Sequence, residues 1–135
     1  MNRNRELISY RRSKAKETLQ DAQILFEAKR FPSSVNRLYY ALFYEVTALL
    51  LTKDLSSAKH GGVMSFFNEH FVKKKIVTVD SGRYFSRMFE FRQKSDYSDF
   101  VTFEEAKVRE WIGRADQFIA EIESVIEEES KNISG

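Results

Sequence analysis

Residues 34–52 read SVNRLYYALFYEVTALLLT, and this stretch decides the fold. Val35, Leu38, Leu42, Val46 and Leu49 recur at steps of three and four, which places them on one face of a helix. Tyr40, Phe43, Tyr44, Thr47 and Leu51 form a second apolar stripe. A helix that is apolar on two sides is central in its bundle or shared with a partner. Glu45 interrupts the run between Leu38 and Leu51, which is also too short to cross a bilayer.

Working outward from this helix, the spacing predicts three more long helices and a short one. Upstream, Leu7, Tyr10, Ala15, Leu19, Ala22, Leu25 and Phe26 mark one face of a helix over about residues 4–29. Pro32 breaks the pattern, since it lacks an N–H and clashes with a preceding helical turn. Ser33 and Ser34 then offer hydroxyls to cap the central helix. Downstream, residues 52–59 read as a connector, and Val63, Phe66, Phe67 and Phe71 mark the short helix. Lys73 to Val79 reads as an irregular crossover, because one β-branched run has no partner strand. Asp80 or Ser81 is expected to cap a helix ending near Lys94, followed by a polar loop from Ser95 to Val101. Thr102 and Glu105 have capping-box spacing. The last helix buries Val108, Trp111, Ile112, Ala115, Phe118, Ile119, Ile122 and Ile126, then frays from Glu127. The expected fold is all-α, a single domain over residues 1–135: an antiparallel up-and-down bundle of four long helices plus a short one.

Composition narrows the chemistry. The chain has 135 residues, one Pro and no Cys. Its size supports a core without staples, and the missing thiols exclude disulfides, Cys-zinc sites and thiol nucleophiles. A cytoplasmic setting is expected, with no secretory signal after Met1. Charge is near balance at +2 but uneven. Residues 1–30 carry eight basic and four acidic side chains, and residues 104–135 carry four and nine. Two solvated helix faces of opposite sign are the simplest reading of that asymmetry. Phosphate loops, nucleophile elbows and paired-His metal motifs are absent, so no cofactor and no metal are expected.

Three polar clusters stand out. Asn36-Arg37-Leu38-Tyr39-Tyr40 puts a permanently charged guanidinium into the most apolar helix, where it needs carboxylates, carbonyls or an anionic ligand. Lys59-His60-Gly61-Gly62 precedes a helix whose first N–H groups can hold a phosphate. Arg92-Gln93-Lys94-Ser95-Asp96-Tyr97 combines cations for phosphate with a tyrosine able to stack on a base. Each has a structural alternative: Arg37 paired with Glu45, a plain turn at Lys59 to Gly62, and Asp96 holding Arg92.

The ordered set resembles the HEPN superfamily, in particular its small stand-alone bacterial and archaeal members. The matching residues are Asn36, Arg37, Tyr39, Tyr40, Ala41 and Phe43, then Lys59, His60, Gly62 and Val63, then Arg92, Asp96 and Tyr97. The likeness runs from about residue 5 to residue 127. It implies an up-and-down helical bundle, a homodimer, and a minimal nucleotidyltransferase partner in a toxin–antitoxin pair. It also implies a metal-independent ribonuclease in those relatives that carry an Arg, four to six intervening residues and a His. Here those positions hold Tyr97, Ser98 and Asp99 after Arg92, and Leu42, Phe43 and Tyr44 after Arg37.

Two functional readings and one structural reading follow. The first is a homodimeric nucleotide- or RNA-binding interaction module, using Arg37, Tyr40, Lys59, Arg92, Lys94, Asp96 and Tyr97. The second is a ribonuclease toxin in which Arg92 or Arg37 acts with His60 or Tyr44, although a phenol is a poor base at neutrality. The third is a dimerisation bundle whose arginines only brace the helices. No membrane contact is expected in any of them.

Overall fold

The computed structural model describes residues 2–97 and 101–133. It contains α1 (Asn2–Glu27), α2 (Phe31–Leu51), α3 (His60–Phe67), α4 (Val79–Tyr97) and α5 (Glu105–Ile133). A π-helical turn, Asn68–Val72, prolongs α3. Among the described residues there is no strand, and no helix is long and apolar enough to cross a membrane.

Helix α2 packs against α1, α3, α4 and α5, as its two apolar stripes require. Val35, Leu38, Leu42, Val46 and Leu49 are all fully buried. In the second stripe, Thr47 and Leu51 are buried while Tyr40, Phe43 and Tyr44 are only half-buried. The core is strongly aromatic. Phe85 stacks on Tyr39 and on Phe118, and Phe67 meets Phe85 and Phe118 edge-on. Each such ring contributes roughly 1.5–3 kcal/mol by leaving water, so the core is held through α2, α3, α4 and α5 together.

Several helix ends differ from the sequence expectation, each for a local reason. Helix α2 starts at Phe31 with Pro32 in its first turn, where a missing N–H costs nothing. Ser34 is therefore inside the helix, and its buried hydroxyl donates to the Ala22 carbonyl at 2.8 Å, tying α2 to α1. Thr78, rather than Asp80 or Ser81, caps α4 by accepting from the Ser81 N–H at 3.2 Å. Helix α4 continues through Tyr97, so Ser95 and Asp96 are helical rather than in a loop. Helix α5 starts at Glu105, so Thr102 stands too far upstream to be its cap, and Glu105 instead pairs with Arg109 at 2.7 Å. Residues 127–133 remain helical rather than fraying. In α1, Ala15, Leu19 and Ala22 are buried as the spacing predicts, but at its start Ile8 enters the core while Tyr10 is 62% exposed.

The uneven charge is partly zipped up inside the fold. The basic start of α1 lies antiparallel to the acidic end of α5. Arg12 pairs with Glu123 at 2.6 Å and Glu127 at 3.3 Å, and Lys16 pairs with Glu123 at 3.1 Å. Glu45 of α2 faces this group and is completely buried. Arg37, which the sequence allowed to pair with Glu45, lies two turns away and bonds to Asn36 instead.

Candidate functional site

All three polar clusters of the sequence meet at one end of α2. Antiparallel packing of α2 and α4 sets the start of one helix beside the end of the other. Asn36, Arg37 and Tyr40 thereby face Arg92 and Asp96. The turn before α3 adds His60. Gly62 permits this approach, because a Cβ there would stand 2.8 Å from the Ser57 Cβ. The Ser57 hydroxyl also accepts from the Lys59 N–H at 3.1 Å, pinning the turn.

Arg92 is only 9% exposed. Its Nε donates to Asp96 Oδ2 at 3.0 Å, one helical turn away. Its guanidinium lies 5.4 Å from the Tyr39 ring centre and 5.5 Å from that of Tyr40. Burial works against its charge, but Asp96 and the two rings outweigh that and hold its pKa above the ordinary value. The Arg37 guanidinium lies 4.9 Å from the centre of the Tyr40 ring. It donates twice to Asn36 Oδ1, at 3.2 and 3.0 Å. Asn36 in turn donates to Asp96 Oδ1 at 3.4 Å.

His60 is clamped by aromatic rings. It stacks on Phe43 at 4.3 Å and stands edge-on to Tyr40 at 5.7 Å. Its Nδ1 is 2.8 Å from the Tyr39 hydroxyl. Burial, and then the charge of Arg92, lower its pKa, which favours the neutral imidazole. Burial raises the pKa of Tyr39 far beyond the neutral range, and Arg92 opposes this only partly.

The structure thus brings together Arg37, Tyr40, His60, Arg92 and Asp96 from the sequence expectation. Tyr44 sits one turn further along α2, in ring contact with Tyr40 and Phe43. Lys59 is exposed at the N-cap of α3, and Lys94 is exposed on the outer side of α4. The side chain of Tyr97 lies outside the described residues, as do Ser98 and Asp99. Sequence reasoning named Tyr39 only as part of a motif and did not assign it to the site. The signal was there: a Tyr rather than a Phe on a core-facing stripe needs a partner for its hydroxyl. An open cavity of about 450 Å³ adjoins the cluster, lined by Leu25, Pro32, Ser33, Asn36, Arg37, Ser95 and Asp96. Two guanidinium groups and one imidazole face a single carboxylate here, which favours an anion. Among the described residues, no group of three His, Asp or Glu gathers to hold a metal ion.

Comparison with known proteins bears on the family of the chain. The HEPN domain model matches residues 8–125. A UPF0332 protein of Thermotoga maritima is 48% identical over 128 residues, covering 95% of this chain and 97% of its own. A candidate toxin of Methanocaldococcus jannaschii is 39% identical over 115 residues, 84% of each chain. A second candidate toxin of that archaeon is 36% identical over 84 residues, 62% of this chain and 57% of its own. With most of its length matched by the family and by near full-length relatives, this chain belongs to the HEPN domain family.

Proposed function

We propose that the protein is a homodimeric HEPN module of toxin type, which binds the phosphate of a nucleotide or RNA and acts with a minimal nucleotidyltransferase. The observation that carries this is the convergence of Arg37, His60 and Arg92 around Tyr40, with one carboxylate among them. Guanidinium groups with planar donor forks suit phosphate oxygens. The adjoining cavity of about 450 Å³ has room for the rest of a nucleotide. Two similar proteins named as candidate toxins support the biological setting. The half-buried Tyr40, Phe43 and Tyr44 on α2 support a second copy covering that stripe. Calorimetry with AMP and a short RNA, sedimentation of the free chain, and pull-down with the product of the neighbouring gene test the three parts. A monomer that binds none of these removes the reading.

A ribonuclease is the second reading, favoured by one observation. His60, far from Arg92 in sequence, comes close enough for the Arg92 charge to lower its pKa. This supplies from another helix the histidine that the Arg motif lacks. Expression should then arrest growth and leave RNA ends bearing 2′,3′-cyclic phosphate, and both effects should vanish in Arg92→Ala and His60→Ala. Intact RNA under wild-type expression excludes this reading.

A further inference from the structure

The Tyr39–His60 bond has a direction, and the surroundings fix it. Tyr39 is completely buried and its hydroxyl keeps its proton at any neutral pH. A buried O–H that fails to donate is left unsatisfied at the full cost of its desolvation. The acceptor offered to it is His60 Nδ1, at 2.8 Å. Of the other groups acting on this hydroxyl, the Arg92 guanidinium has donors only, and Tyr40 acts only through its charge. Were the imidazole proton on Nδ1, the tyrosine proton would be left facing a cation. With the proton on Nε2, Tyr39 donates to Nδ1 and the buried hydroxyl is satisfied. Stacking on Phe43 and the edge contact with Tyr40 hold the ring in that orientation.

We propose that Tyr39 is a positioning residue that fixes His60 as the Nε2–H tautomer, so that the imidazole joins Arg37 and Arg92 as a neutral donor to the phosphate oxygens of a nucleotide. This rests on reading the cleft as a phosphate site. It assigns His60 a role different from that of a base or a cation. The charge of the site then comes from its two arginines, while the imidazole contributes direction.

The test uses the full chain with ¹⁵N-labelled histidine, and AMP and inorganic phosphate as probes. Long-range ¹H–¹⁵N spectra at neutral pH should show His60 as a single Nε2–H tautomer whose resonances move on adding either probe. Tyr39→Phe should give mixed tautomers and weaker AMP binding. His60→Gln, which keeps a donor at the outer position, should bind AMP within about threefold of wild type, whereas His60→Ala should lose about tenfold. An Nδ1–H tautomer in the wild type, or an unchanged tautomer in Tyr39→Phe, overturns the role of Tyr39 while AMP binding leaves the cleft standing. Should Tyr39→Phe fail to fold, the His60 pair decides: a Gln variant as weak as the Ala variant overturns the donor role. A fixed tautomer that responds to neither probe retires the phosphate reading of the cleft, and the inference with it.

Discussion

Two polar clusters are sunk into this bundle on different sides of α2, and their contrast separates structure from function. The first comprises Glu45, Arg12, Lys16, Glu123 and Glu127. The second comprises Arg37, Tyr39, Tyr40, His60, Arg92 and Asp96. In the first, cations and carboxylates pair with one another across α1, α2 and α5. In the second, Arg92 pairs with the one carboxylate, Asp96, Arg37 bonds to the Asn36 amide, and both guanidinium groups lie against aromatic rings. A closed, charge-balanced group braces helices, whereas an open group rich in donors is suited to an anion.

Within the first cluster the balance depends on a proton. As a carboxylate, Glu45 finds no donor for either oxygen. Burial first, and then Glu123, raise its pKa well above the carboxylate range. Protonated, it donates to Glu123. Although burial of Glu123 alone would raise its pKa, hydrogen bonds from Arg12, Glu45 and Lys16 pull it down.

The largest expected effect comes from Arg12→Ala, which strips Glu123 of its main partner. We expect a loss of about 2 kcal/mol in stability by denaturant unfolding, with AMP affinity unchanged. Loss of binding in that variant would break the division between the clusters. Next is Glu45→Gln. Because folding raises the Glu45 pKa, its stabilising contribution is complete below the unfolded value of about 4.3 and declines as pH rises towards the folded value. The amide keeps a donor for Glu123 and cannot ionise. Its stability should therefore exceed that of wild type by on the order of 2 kcal/mol at pH 8 and approach it at pH 5. A wild type as stable at pH 8 as its Gln variant contradicts the protonated Glu45.

Arg92→Ala should do the opposite of Arg12→Ala. AMP affinity should fall at least tenfold, as for loss of a hydrogen bond to a charged group, while unfolding shifts by about 1 kcal/mol. A smaller effect on stability, about 1 kcal/mol, is expected for Gly62→Ala, whose new methyl meets Ser57. Ser57→Gly in the same chain removes the clash, though also the bond to the Lys59 N–H, and should restore stability and AMP affinity in part and together. Persistent loss of affinity would mean that the turn does not set the position of His60.

Much of this was legible in the residues. The double stripe on α2 made it central, and the motif set named Arg37, His60, Arg92 and Asp96. The misplaced caps share one cause. Ser34, Ser81 and Thr102 have the right chemistry to cap a helix, but packing decided their use. Ser34 bonds to the Ala22 carbonyl, Ser81 shares Glu121 with Thr78, and Thr102 precedes a helix that begins later. The role of Tyr39 was hidden for a related reason: full burial reads as core until its hydroxyl partner is known.

By itself, the sequence determined the all-helical bundle, because apolar periodicity and scarce Pro and Gly act through local geometry. It also determined the residue types of the cleft. Tertiary structure alone decided that three segments up to 60 residues apart meet, as Asn36 and Asp96 do. It also gave two arginines different surroundings: Arg12 pairs with carboxylates of α5, whereas Arg92 pairs with Asp96 against two aromatic faces. Which charge finds a partner depends on the groups that antiparallel packing brings within hydrogen-bond range, and spacing along one helix does not encode that.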